Sequence, residues 1–492
     1  MSTPNSQAES AASERPSLVF VGVLVSILLA AACVRTLASQ GDLWFDEVWT
    51  WWLLRGLQSP LDIMVMHHDN NHYLNSFYWY WVGNSPHAWV YRVPSIVLGT
   101  ATVALGASLA EKRGRLEGLI AAALLGSSFL LILYSSEGRG YAAVTFFALA
   151  AFAAMRQVIA TGSKRALAVF WAASILGFLS HLSFGLVTGA IGLWTMAELM
   201  RPGTRLVDWF LRLLRYHALP LVFLGLLYWI DISKIPYLFV PPDPFAAVLA
   251  DAIAHTLRMP AGFAPNWAVA SVVLAVMAVS IVRIARTGSR EWVFFVAILV
   301  SAPMLYGIPQ LFVGPVAIMV RYFLVSFVFA LVLLAYTFAD LIRSGRVGAV
   351  VAVSVLTLAV VGNSQLTAEL LETGRGGYRQ ALQDAVDHSL EDVVTVASDH
   401  DLENGTLIYY NAGHLETDKQ IAYVRKSEQA AVRAHWYIAH AYNRAKVPRD
   451  SIKVGTTTYL LVNTYPATPY SGFPWFLYER ADFKSAKGRP AS

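Results

Sequence analysis

The stretch LVFVGVLVSILLAAACVRTL (Leu18–Leu37) is followed closely by Leu43-Trp44-Phe45-Asp46-Glu47. An apolar run of that length matches the roughly 20 residues needed to cross a hydrocarbon core. It reads as a membrane helix, with Asp46 and Glu47 at its far mouth among Trp44, Trp49, Trp51 and Trp52. Charges beside hydrocarbon are costly and normally excluded, so an acid pair placed there asks for a use. The plain alternative is two solvated acids capping an interfacial helix within an aromatic belt.

Composition extends the membrane reading to most of the chain. Only 14% of residues are charged, 56% are hydrophobic and the mean hydropathy is +0.50. Soluble domains carry about 25% charged residues. The single cysteine, Cys33, lies inside the first apolar run, so no intrachain disulfide forms and cysteine says nothing of compartment.

Further apolar runs fall near 90–110, 116–134, 141–158, 166–181, 184–200, 218–232, 266–285, 291–309, 321–340 and 347–363, for about eleven spans in all. Basic residues gather in every second connection: Lys112, Arg113 and Arg115; Arg156, Lys164 and Arg165; Arg201, Arg205, Arg212 and Arg215; Arg283, Arg286 and Arg290; Arg343 and Arg346. Positive loops mark the cytoplasmic side. The N-terminus is then cytoplasmic and Asp46 and Glu47 face outward. Residues 1–17 are polar and read as a disordered cytoplasmic segment. They lack the basic start and cleavage site of a removable signal, so the first span reads as a retained anchor.

The unusual residues collect in the outward connections. The first holds His67, His68, Asp69, Asn70, Asn71, His72 and Asn75, then the aromatic run Phe77–Trp81, which suggests a helix lying at the interface. The second is the short Ser135-Ser136-Glu137-Gly138-Arg139-Gly140-Tyr141. The third, from Asp231 to Pro265, contains Lys234, Pro241-Pro242-Asp243-Pro244, His255 and Arg258; the fourth ends at Arg321-Tyr322. The chain thus divides into a membrane module over 18–362 and a charged region over 363–492 without a membrane-length run. In that region 393–396, 407–410, 459–462 and 475–478 read as strands, with helical patterns over 377–387 and 426–444. This alternation predicts a small α/β domain, placed outside by the parity of eleven crossings. No glycine-rich nucleotide fingerprint follows any of its strands.

Taken in order, these motifs resemble those of the GT-C superfamily, polytopic glycosyltransferases that use lipid-phosphate sugars. The likeness is to family-39-like bacterial members, related to protein O-mannosyltransferases and lipid A aminoarabinose transferase. Such proteins carry an acidic pair after the first helix, as in Trp44-Phe45-Asp46-Glu47, then a loop motif similar to Asn70-Asn71-His72-Tyr73-Leu74-Asn75. Tyr91-Arg92-Val93-Pro94, Tyr134-Ser135-Ser136-Glu137-Gly138-Arg139-Gly140-Tyr141 and Arg321-Tyr322 resemble the later motifs. Many relatives have His-Pro-Pro where this chain has Asn71-His72-Tyr73, which leaves substrate identity and any metal ligands open.

The resemblance implies an inverting transfer from a polyprenyl-phosphate sugar to an extracytoplasmic lipid, glycan or protein, in a bacterial inner membrane. Such a transfer needs a base for the acceptor and cations for the leaving phosphate. Asp46 is the candidate base. Three roles are open to Glu47: tuning Asp46, orienting the acceptor, or capping a helix. Arg139 and Arg321, with Tyr322, are candidates for the donor phosphate, since guanidinium offers forked donors to phosphate oxygens. Asn71, His72, Arg92, Glu137, Tyr141, Lys234 and Arg258 are candidate substrate contacts, Lys234 and Arg258 facing either the donor phosphate or lipid headgroups. His181 is a further acceptor-site candidate. Glu137 and Arg139 also admit a purely structural reading as a neutralised pair, and Arg139 reaches a shared site with Tyr141 only from an unwound loop. His68 and His72 are candidates for a divalent metal by donor type, although loop histidines more often hydrogen-bond. No cofactor is otherwise implied, and nothing points to nucleic acid. Two competing classes remain: a lipid-linked sugar flippase, which would place its charges near the midplane in repeated halves, and a noncatalytic envelope scaffold, which would leave the acid pair and arginines unused.

Overall fold

The computed structural model describes residues 18–236, 244–312, 314, 318–442 and 447–486. Residues 1–17 and Pro241-Pro242-Asp243 lie outside the described residues. Each expected apolar run is helical. Eight helices are long and apolar enough to cross a membrane: α1 (Leu18–Ala38), α4 (Ala88–Glu111), α7 (Tyr141–Thr161), α10 (Leu206–Ile230), α12 (Asn266–Arg286), α13 (Glu291–Phe312), α14 (Leu324–Arg343) and α15 (Arg346–Thr373). The bent pair α5 (Arg115–Ser127) and α6 (Phe129–Ser135) makes a ninth among the described residues. The other two expected spans, α8 (Lys164–Ser180) and α9 (Phe184–Leu199), have 17 and 16 residues, at the short limit for a crossing. Helix α14 is enclosed on nearly all sides and forms the centre of the bundle, whereas α1 and α10 present long Leu and Val faces outward.

The break between α5 and α6 is 60° and falls at Ser128. A break at membrane depth is tolerated when side chains take over the freed backbone groups. Arg35 of α1, fully buried, donates to the carbonyls of Leu125 at 3.3 Å and Gly126 at 3.4 Å. Asn363 of α15 accepts the Phe129 N–H at 2.7 Å. The bend brings the end of α6 under the first connection.

That connection contains α2 (Phe45–Leu54) and α3 (Tyr73–Val82), followed later by the short α11 (Phe245–Ala254) of the third connection. Helix α3 carries the aromatic run, with Trp79 buried and Trp81 exposed, as an interfacial helix should. Asp231, at the end of α10, ties the connection down. It accepts from the His67 N–H at 2.7 Å and from Tyr73 Oη.

The composition change after residue 362 falls inside α15, and a mixed sheet domain follows that helix. Its elements are α16 (Tyr378–Asp387), β1 (Val393–Ser398), α17 (Glu403–Ala412), β2 (Gln420–Val424), β3 (Trp436–His440), β4 (Ser451–Val454), β5 (Thr457–Tyr465), β6 (Trp475–Arg480) and α18 (Ala481–Ala486). Strand order is β2-β1-β3-β6-β5-β4, with β1 parallel to β2 and β3 and the remaining pairs antiparallel. Two expectations are corrected. Residues 407–410 belong to α17, and the pattern over 426–444 contains β3 instead of a helix. Short apolar runs do not separate strand from buried helix by periodicity. Leu407, Tyr410 and Asn411 are buried at helical spacing, whereas Trp436, Tyr437 and Ile438 are buried consecutively in a central strand.

The domain sits on the end of the bundle that carries the sequence motifs. Helix α17 packs on α2 through Trp51–Tyr410 and Trp52–Tyr409 edge contacts, with Arg55 over the rings of Trp51 and Tyr409. Tyr470 donates to Asp251 at 2.6 Å and meets His255 Nε2 at 3.0 Å, both at the α11 end.

Candidate active site

Asp46 stands in the first turn of α2, where it is the meeting point of two distant arginines. Its Oδ2 lies 3.2 Å from Arg139 Nη1 and 3.3 Å from Arg321 Nη1. Arg321 arrives on the 3₁₀ turn Val320–Phe323 that opens α14, and Arg139 on the unwound segment between α6 and α7. Asn70 completes the junction. Its amide donates to the Asp46 carbonyl and to Thr50 Oγ1, both at 2.9 Å, and its Oδ1 accepts from Arg139. Arg139 lies over the Tyr141 ring and Arg321 over the Trp44 ring.

The unwound segment is fixed residue by residue. Gly138 N–H donates to Glu47 Oε1 at 2.6 Å, Asn75 donates to the Gly138 carbonyl, and Ser95 Oγ donates to the Arg139 carbonyl at 3.2 Å. Side chains would not fit at its glycines: a Cβ on Gly138 would lie 2.4 Å from the Trp79 ring, and one on Gly140 would lie 1.9 Å from the Ser180 carbonyl oxygen.

Several candidates serve this scaffold instead of facing a substrate. Glu47 is fully buried and both its oxygens bind Arg92, at 2.8 and 2.6 Å. Its Oε2 also accepts the Trp44 N–H at 3.2 Å, so capping α2 is the role, among the three open to it, that the geometry fills. Burial pushes the Glu47 carboxyl up, but Arg92, Arg375 and the Gly138 N–H hold it below the usual carboxylate range. Arg92 is equally buried and spends its remaining donors on the carbonyls of Ser39, Gly41 and Asp42 at 2.7–2.8 Å. Asn71 donates to the Ile63 carbonyl and accepts from Ser76, bracing the loop. Glu137 is fully buried and its carboxylate faces Arg375 Nε at 3.5 Å rather than Arg139.

His72 stacks on His181 at 5.0 Å and lies 5.6 Å from Tyr141, forming one wall beside Arg139. Burial lowers His72 well below its usual range, and the charges of Arg139 and Arg321 add to that effect. His68 instead accepts from Trp49 Nε1 at 3.0 Å and faces Asp69. The two histidines do not share a donor set, and no group of three or more His, Cys, Asp or Glu able to hold a metal occurs among the described residues. Tyr322 stacks on Tyr306 next to Arg321. Lys234 is exposed and donates to the Ile230 carbonyl at the end of α10, and Arg258 acts electrostatically on Asp251 and His255. Neither is drawn to Asp46. The sequence places Asn70 in the loop motif and Asp231 at the start of the third connection without a role for either, and gives no signal for Thr50; tandem Asn70-Asn71 gives no sign of which amide faces the arginines.

Electrostatically the junction is unbalanced. Two guanidinium groups share one carboxylate, and the Nε–H donors of Arg139 and Arg321 are buried without hydrogen-bond partners. Buried donors are normally satisfied. An anion with several oxygens is the group such a set would accept.

No family model matches the sequence, and a comparison with curated proteins finds no match. Solved structures do match. The crystal structure of ArnT from Cupriavidus metallidurans bound to undecaprenyl phosphate aligns with a TM-score of 0.52 at 10% identity, covering 94% of this chain and 98% of ArnT. The apo form aligns with a TM-score of 0.52 at 10% identity, covering 86% of this chain and 93% of ArnT. Helical bundle and capping sheet domain together make this a multi-pass membrane protein with the fold of ArnT.

Proposed function

We propose that this protein is an inverting membrane glycosyltransferase that moves a sugar from a polyprenyl-phosphate donor to an acceptor on the outer side of a bacterial inner membrane. The observation that carries the reading is the unbalanced junction of Arg139 and Arg321 on Asp46, with its unpartnered buried donors. A lipid phosphate at the bundle end would supply the missing charge, and the ArnT structure of the same fold holds undecaprenyl phosphate.

The geometry suggests an order of events. Without donor, Asp46 is the counter-ion of both arginines. The donor phosphate competes for the guanidinium groups through forked bonds and releases the carboxylate. Asp46 then takes the proton of the acceptor hydroxyl or amine as that atom bonds to the anomeric carbon. The carbon–oxygen bond to phosphate breaks on the opposite face, and the polyprenyl phosphate leaves against Arg139 and Arg321. One displacement of this kind inverts the anomeric centre and needs no carboxylate nucleophile.

The test uses purified protein with a panel of polyprenyl-phosphate sugars. Asp46→Asn is expected to bind polyprenyl phosphate at least as tightly as wild type and to lose at least about 1,000-fold in turnover, roughly 4 kcal/mol of barrier. Arg321→Ala is expected to weaken lipid binding. Full turnover in both variants, or a preference for nucleotide sugars, would refute the proposal.

A further inference from the structure

Arg375 sits between the last membrane helix and the first helix of the sheet domain, where a surface arginine would contact headgroups. It is instead 1% exposed. Its Nη1 donates to the Ala38 carbonyl at 3.0 Å, and its Nη2 donates to the Leu133 carbonyl and to Ser136 Oγ, both at 2.9 Å. Ala38 ends α1 and Leu133 lies in the last turn of α6, so one cation serves the carbonyl ends of two membrane helices, where positive charge is favoured. Its backbone belongs to the other module. The Arg375 carbonyl accepts from Tyr378 Oη at 3.0 Å, and Gly472, at φ +77°, passes so close that a Cβ there would lie 1.7 Å from that oxygen.

The third nitrogen, Nε, makes an ion pair with Glu137 Oε1 at 3.5 Å without a hydrogen bond. Burial raises the Glu137 carboxyl above its usual range; Arg375 opposes that rise and Glu47 adds to it. Glu47, Arg92, Glu137 and Arg375 thus form one buried set of two acids and two arginines, with Arg375 Nε 3.5 Å from Glu137. Removing one partner of a buried pair leaves a charge that must take up a proton or move toward water. Glu137 is fully buried on the same unwound segment that carries Arg139 two residues on.

We infer that Arg375 is a positioning residue, through which the sheet domain holds the Glu137–Gly140 segment and with it the Arg139 guanidinium at the donor phosphate. The inference rests on the proposed role of Arg139 in binding that phosphate.

The test compares full-length wild type, Arg375→Met, Arg375→Lys, Glu137→Gln and the double variant Arg375→Met/Glu137→Gln. Affinity for polyprenyl phosphate, kcat, acceptor KM and thermal unfolding are measured on each. Arg375→Met is expected to weaken lipid binding and lower kcat by about tenfold or more each, with acceptor KM unchanged. The double variant is expected to regain most of both, because no unpaired carboxylate remains. Arg375→Lys keeps a charge beside Glu137 but loses the forked reach to the Ala38 and Leu133 carbonyls, and is expected to lose clearly less than Arg375→Met, which preserves the test if Arg375→Met does not fold. A folded Arg375→Met with wild-type lipid affinity would overturn the inference, as would a loss that Glu137→Gln does not rescue or one as deep in Arg375→Lys. Failure of wild type itself to bind polyprenyl phosphate would count against the functional reading, and rescue of unfolding temperature by Glu137→Gln would then still decide the pairing.

Discussion

Arg92, Arg139, Arg321 and Arg375 meet at one end of the bundle, and only their partners tell them apart. Arg92 binds both oxygens of Glu47 and three backbone carbonyls, leaving nothing for a ligand. Arg139 and Arg321 share Asp46 and keep an unpartnered Nε each. Arg92→Met is therefore expected to destabilise the protein by about 3–5 kcal/mol, the cost of breaking a buried pair. Arg321→Ala should unfold near the wild-type temperature yet bind polyprenyl phosphate at least about tenfold more weakly. Thermal unfolding and lipid binding in detergent separate the two. The chain placed Asp46, Arg139 and Arg321 at helix ends on one side of the bundle, but did not show that both arginines share the Asp46 carboxylate. The fate of Arg92 was not legible, because three of its acceptors are main-chain atoms that no residue type announces. His72 offers a second residue-scale check. It is held well below its usual range by burial first and then by Arg139, so it stays neutral at physiological pH. The pH–rate profile between about pH 6 and 8 should keep its shape in His72→Asn, even if the rate falls. A limb of the profile that vanishes in this variant would mean that His72 titrates there.

Between α6 and α7 the chain gives up helix for five residues, Ser136–Gly140, and this is what lets Arg139 point at Asp46. A continuous helix would have placed Glu137 and Tyr141 on one face and Arg139 on another. The two glycines make the segment possible by admitting the Trp79 ring and the Ser180 carbonyl. Gly140→Ala puts a methyl against backbone, which cannot yield as a flexible side chain does. It is expected to cost about 1–3 kcal/mol, as overpacking does, and to lower lipid affinity because Arg139 moves with the segment; Gly162→Ala, where the turn is left-handed but open, should cost stability alone. Thermal unfolding and lipid binding on the two variants check the difference. At this scale the need for an unwound loop could be read from residue spacing, and so could the apolar runs that became helices. The sheet domain was harder. Leu407-Ile408-Tyr409-Tyr410 has the residue types of a strand but is set in α17 by its packing on α2, a tertiary effect that local propensity does not contain.

Across the whole molecule the two ends of the bundle differ in kind. One end is stitched by surface pairs among the basic connections, such as Arg156–Glu291, Arg283–Asp340 and Arg343–Glu117. The other carries the buried charges and the sheet domain. By the bias of basic residues we expect reporter fusions at 111–115 and 201–215 to face the cytoplasm and one within 447–486 to face outward. What the sheet domain does there depends on whether it moves. A gate would need weak, separable contacts, whereas this domain is held by Arg375 within the bundle, by Tyr470 on Asp251 and His255, and by α17 on α2. On these contacts we expect this roof to stay in place through the cycle. Trp52 and Tyr409 are both exposed, with ring centroids 5.3 Å apart across the α2–α17 contact. Cysteines at these two positions, in a Cys33→Ser background that removes the chain's only other thiol, can be joined by a short cleavable linker. Cross-linked protein is expected to turn over within about twofold of its uncross-linked form, since a gating motion is what such a linker would stop. A collapse of turnover on cross-linking, restored when the linker is cleaved, would show instead that the roof opens on every cycle, and that the contacts made by Arg375 and Tyr470 break and re-form with it.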